Sequence, residues 1–111
     1  MTYLFTTLLT GLGLVANLPT VQAVPPGLHY AWQVLDIDTA QCLGLAQQAL
    51  ESQNLEPIQN DAISLAGRSA TATAMFVCME NPAAVTTVMV VVASNDDAQA
   101  LELREALKLA F

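Results

Sequence analysis

Cys42, Cys78 and the single histidine, His29, are the side chains of this chain best suited to covalent or acid–base chemistry. A nucleophilic site needs a base beside a Ser or Cys and a third group that orients the base. His29 has no Ser, Cys or acidic neighbour at a spacing diagnostic of such a triad. The cysteines do not form the C-x-x-C pair of a disulfide exchanger. Asp36-x-Asp38 and Asn95-Asp96-Asp97 offer oxygen ligands, but a calcium loop needs further carboxylates and a glycine at set positions. Adjacent carboxylates such as Asp96 and Asp97 point in different directions, unlike the facing pair of a glycosidase. The phosphate-binding and dinucleotide glycine patterns are absent, and Gly11-x-Gly13 lies in an apolar leader. No catalytic, cofactor-binding or metal-binding residue is therefore assigned. What the two cysteines suggest instead is a structural disulfide, provided the protein resides where thiols oxidise.

The leader supplies that provision. Leu4 to Ala16 is an apolar run of the length a secretory signal uses, Asn17, Pro19 and Thr20 break it, and Val21-Gln22-Ala23 places small residues at a cleavage site. Residues 1–23 read as a signal peptide cut after Ala23, and residues 24–111 as one small domain. The start is atypical in having no Lys or Arg before the core. A retained anchor is the alternative, but Asn17 and Pro19 interrupt the ~20 apolar residues that a bilayer span requires. The expected location is extracytoplasmic, periplasmic or secreted, with no stable membrane association after cleavage.

Taking 23 residues from 111 leaves 88, enough for one hydrophobic core but near the size at which a cross-link becomes useful. The ten acidic and three basic residues all follow Ala23, so the mature chain keeps the net charge of −7. That charge repels phosphate backbones and anionic lipid, which argues against nucleic acid and membrane-surface partners. The abundance of Leu, Val, Ala and Met excludes disorder.

The elements follow from spacing and punctuation. His29 to Asp36 alternates Tyr30, Trp32 and Val34 with His29, Ala31 and Gln33 and reads as a strand. Asp38 with Gln41 resembles a capping box. Cys42, Leu43, Ala46, Ala49 and Leu50 then form a helical stripe, closed by a left-handed Asn54, a folded-back Leu55 and Pro57. Ala62–Ala66, a turn at Gly67-Arg68, Ala70–Met79, a turn at Asn81-Pro82 and Val85–Ser94 read as a three-stranded meander. Ser94 to Asp97 caps a last helix whose stripe is Ala100, Leu103, Leu107, Ala110 and Phe111.

The expected fold is an α+β two-layer sandwich in the order strand-helix-strand-strand-strand-helix, with a four-stranded mixed sheet of spatial order 2-3-4-1 and both helices on one face. The first strand should run parallel to the second and fourth. Cys42 and Cys78 both point into the core. With Glu80 opposite Val85, the face away from the helices would carry Met75, Val77, Val88, Val90 and Val92, an apolar patch of the kind that marks interaction surfaces. A different turn length, or Val24–Leu28 folding across the patch, would remove it.

Three classes of function follow. The leading expectation is a small exported, non-enzymatic interaction or accessory domain that uses this face for a homodimer or a protein partner. The alternatives are a carrier of small apolar ligands, with a pocket beneath Gly44, Ala70, Ala72 and Ala74, and an enzyme, for which no converging polar constellation is visible.

Overall fold

The computed structural model describes residues 25–111. The expected signal and its cleavage site lie outside the described residues. The elements are β1 (Gly27–Leu35), α1 (Thr39–Ser52), β2 (Glu56–Asn60), β3 (Ser64–Arg68), β4 (Ala72–Glu80), β5 (Thr86–Ser94) and α2 (Asp97–Lys108). The strands form one sheet of order β1-β5-β4-β3-β2, with every neighbouring pair antiparallel. Both helices pack on one face of it, α1 over β4 and β3, α2 over β5 and β1.

The helix termini follow local chemistry. Asp38 Oδ1 accepts the Gln41 backbone N–H at 2.8 Å while Gln41 Oε1 accepts the Asp38 N–H at 3.1 Å, a complete capping box. At the other end Asn54 adopts φ 59°, Leu55 N–H reaches the Leu50 carbonyl at 3.0 Å and Asn54 N–H that of Glu51 at 3.0 Å. This paired arrangement satisfies carbonyls the helix would leave bare, and it folds Leu55 into the core. Helix α2 starts at Asp96, whose carboxylate accepts from Gln99 N–H at 3.1 Å.

The expected four-stranded mixed sheet of order 2-3-4-1 is corrected to five antiparallel strands. The additional strand is β2, five exposed residues at the sheet edge. A strand-helix-strand unit does bring its two strands parallel, but the strand after α1 is β2 rather than β3. Four successive reversals across the sheet make β1 and β2, at opposite edges, parallel. β1 therefore runs antiparallel to β5.

Two turns also differ. Gly67 and Arg68 belong to β3, paired with Ala74 and Thr73, and the hairpin turns instead at Ala70-Thr71, where Ser69 N–H meets the Ala72 carbonyl at 2.9 Å. Gly67 is needed for close approach: a Cβ there would lie 3.1 Å from the Glu56 carbonyl oxygen and 3.1 Å from Leu55 Cβ. Between β4 and β5, Asn81 N–H bonds the Val85 carbonyl at 2.9 Å and Ala84 takes φ 63°. Asn81 Oδ1 accepts from Ala83 and Val85 N–H groups. The loop thus has three residues between Asn81 and Val85, a turn followed by a left-handed position.

That loop length fixes the register at Glu80 opposite Thr86 and Phe76 opposite Val90, one residue from the expectation of Glu80 opposite Val85. Side chains alternate along a strand, so a slip of one residue exchanges the faces of β5. Val88, Val90 and Val92 are consequently core residues at 3%, 4% and 0% exposure.

The core lies between the helices and the inner sheet face. Phe76, 1% exposed, has its ring centroid 5.3 Å from that of Phe111, and Leu107, Ala100 and Val92 are buried with it. Cys42 on α1 and Cys78 on β4 form a disulfide with Cα atoms 6.1 Å apart. Beside it, Glu80 Oε1 accepts from both the backbone N–H and the hydroxyl of Thr39, at 2.9 and 2.8 Å, which ties the start of α1 to the end of β4.

The β2–β3 turn is organised by Asp61. Its Oδ1 accepts from Ile63 N–H at 3.0 Å and from the Ser64 N–H and hydroxyl at 2.9 Å each. The Ile63 N–H, foremost among these donors, holds the carboxyl below its ordinary 3.8. A depressed folded pKa stabilises above the unfolded value and ceases to do so as the pH falls through the folded one. Asp61→Asn should therefore lower the melting temperature at neutral pH, and the gap from the parent should close in acid below the folded pKa. Melting curves across pH check this; a gap that stays constant into acid would refute the charge-assisted turn.

Candidate functional site: the outer sheet face

Alternation along β1 sorts its side chains into two sets with different environments. His29, Ala31 and Gln33 lie beneath α2, where Ala31 packs against the core. Leu28, Tyr30, Trp32 and Val34 point to the opposite face and are 66%, 60%, 61% and 55% exposed. The antiparallel register sets Tyr30 beside Val91 and Met75, and Trp32 beside Met89 and Val77. Val34, Thr87 and Met79 form a third row, and Leu28, Ala93 and Thr73 a fourth. Across β1, β5 and β4 this outer face contains no charged side chain.

Of the five residues expected on this face, Met75 and Val77 are there, half-buried, while Val88, Val90 and Val92 point into the core. Met89, Val91 and the exposed β1 set take their place. The alternation of β1 is plain in the sequence, but which set faces the helices depends on where α2 sits. That is a tertiary property.

On this face the side chains of the edge strand β1 are exposed, and Thr87, Met89 and Val91 of β5, which has a strand on either side, are half-buried. Together with Leu28, Tyr30 and Trp32 they line an open apolar hollow of about 530 Å3. Among the described residues nothing covers it. Towards β3 and β2 the surface turns polar through the exposed Arg68 and Gln59.

The two sheet edges contrast. β2 is short, carries Glu56 and Pro57 and shifts register between Pro57 and Gln59, all features that discourage another strand from pairing with it. β1 spans nine residues with no proline and no Asp, Glu, Lys or Arg. Its Tyr30 carbonyl accepts from Arg104 Nη1 at 3.3 Å, so α2 reaches round to occupy part of that edge. Arg104 also pairs with Glu105 at 2.8 Å, which holds the Glu105 carboxyl below its ordinary value.

The polar groups elsewhere are joined to one another. Ser94 Oγ donates within reach of the Thr71 carbonyl at 2.9 Å and of Gln99 Oε1 at 3.0 Å, and accepts from Asp96 N–H at 3.1 Å; Gln99 Nε2 donates to Thr71 Oγ1 at 2.7 Å. This cluster fastens the β3–β4 turn to the start of α2. His29 Nε2 lies 3.2 Å from Asp97 Oδ1, and neither is bonded to Ser94. Asp36-x-Asp38 contributes the α1 cap described above. Among the described residues no group of three metal-ligating side chains converges, and no helix is long and apolar enough to cross a membrane.

The small residues singled out for a ligand cavity are placed otherwise. Ala72 and Ala74 are buried, Ala70 is in the exposed turn, and Gly44 is on the solvent side of α1. Ala72 borders a hollow of about 260 Å3 with Leu55, Gln99 and Glu102, and Ala70 one of about 330 Å3 with Thr71, Asn95 and Asp96; both are open and partly polar, unlike the mostly apolar clefts that enclose small ligands.

Comparisons of the chain with protein-family models, with curated proteins and with solved structures find no match.

Proposed function

We propose that this chain is a small exported binding module, residues 1–23 acting as a cleaved signal, and that it docks a protein partner through the outer face of its sheet. The observation that carries the reading is the row Leu28, Tyr30, Trp32 and Val34, each more than half exposed on a charge-free surface. Large side chains in such a row cost free energy in water and regain it when a partner covers them. The Cys42–Cys78 disulfide supports a location outside the cytoplasm, since reducing compartments keep such pairs open. The β1-β5-β4 outer face supplies apolar contact with no carboxylate, imidazole, thiol or amine, which suits binding rather than bond-breaking chemistry.

A photo-crosslinking residue tests the reading by position. Placed at Trp32 in protein produced in its native compartment, it should yield a discrete adduct, whereas the same group at Gln48, on the wet side of α1, should yield none. Absence of adducts from Trp32, or equal yield from both positions, would refute the docking face. Mass measurement of the recovered chain should show Val24 as its first residue and no free thiol.

A further inference from the structure

Resting on the docking face just proposed, we infer that its occupant is a second copy of this chain, packed face to face about a two-fold axis. Three observations lead there.

The first is adjacency. The exposed β1 row of Tyr30 and Trp32 lies directly beside the half-buried β5 row of Met89 and Val91, and both line one open hollow. A two-fold axis between the two rows sets each copy's Tyr30 and Trp32 over the other's Met89 and Val91, the self-complementarity that an isologous interface demands. Two sheets with the same twist also pack naturally, their strands about 30° apart.

The second is area. From the fractional exposures, the β1 row, Met79 and the half-buried residues beside them expose on the order of 700 Å2, above the roughly 300–600 Å2 of a typical monomer's largest patch and near the ~800 Å2 that each partner buries in a standard interface. Pairing two β1 edges instead would leave this surface bare and double its extent.

The third is charge. A chain of net charge −7 repels its own copies. The β1-β5-β4 outer face carries no Asp, Glu, Lys or Arg, so approach through it brings no carboxylate into contact with another. The polar residues of β3 and β2 form the rim, the pattern of an interface with an apolar centre.

Trp32 is the only tryptophan of the chain, so its emission reports on this surface alone. Sedimentation equilibrium and Trp32 fluorescence of the unaltered chain across the micromolar range are the experiment, with Tyr30→Glu as the variant. The expected result is a doubling of mass with concentration, accompanied by a blue shift of Trp32 emission and protection from acrylamide. Tyr30→Glu should stay monomeric with an unchanged far-ultraviolet spectrum. A monomer at all concentrations with Trp32 open to acrylamide would overturn the second copy as occupant while leaving the face available to another protein. A monomer with Trp32 shielded throughout would overturn both, since the chain would then cover its own face. A dimer with Trp32 still open to quencher would place the contact elsewhere and overturn the proposal, and this outcome can be read even if Tyr30→Glu fails to fold.

Discussion

Removal of the Cys42–Cys78 bridge is expected to cost about 4 kcal/mol, the loop-closure entropy that a cross-link of this span withdraws from the unfolded chain. The loop has a sequence separation of 36. Small domains hold only about 5–15 kcal/mol in total, so a chain carrying Cys42→Ala and Cys78→Ala should melt roughly 15–30 °C lower. Both cysteines are 0% exposed. Reductant therefore reaches the bridge only when the domain opens, and reduction should be slow in buffer and fast in urea. Urea unfolding of the double variant measures the loss; a midpoint matching the parent's would show that the bridge constrains nothing the rest of the fold does not already hold.

Val90→Asp should be at least as damaging, about 4 kcal/mol or more, because a carboxylate would enter the apolar core with no partner. Val90 is 4% exposed and faces Phe76 across the β4–β5 ladder. Its sequence neighbour Met89 is half-buried on the outer face beside Trp32, and Met89→Asp should cost the monomer about 1 kcal/mol, since its head group stays in contact with water. The contrast is the test. Equal losses in thermal melts, or the reverse order, would mean that β5 presents its other face to the helices.

This pair of residues also marks where reading the sequence fails. The caps of both helices are legible because they are local: Asp38 with Gln41, Asn54 before Leu55 and Asp96 ahead of α2 each act within a few residues. The disulfide is legible because Cys42 lies on a helical stripe and Cys78 on an alternating one, and both point inward. Strand β2 is not, because Glu56, Pro57, Gln59 and Asn60 are poor strand formers held in place by pairing with β3. The β3–β4 turn is misplaced because Gly67, a turn residue by habit, is kept for its lack of a Cβ against Leu55. That error is harmless to the facing of side chains: Leu65 meets Phe76 instead of Ala70, a shift of six, and an even shift leaves each side chain on its face. The β4–β5 loop differs from expectation by a single residue, hidden in the left-handed Ala84 where a glycine would have announced it. An odd shift exchanges faces, so one loop residue decides which valines are core and which apolar residues remain for the candidate site.

The position of the disulfide along the chain has a topological consequence. The covalent ring closed between Cys42 and Cys78 contains most of α1, all of β2 and β3, and β4 as far as Cys78. β1, β5 and α2 lie outside it, and β1, as an edge strand, pairs with β5 alone. The molecule thus has a cross-linked half and a half retained only by ladder bonds and packing. Tyr30 and Trp32 sit in that less constrained half. Whatever settles on them also adds a restraint to an edge strand that the disulfide ring leaves out.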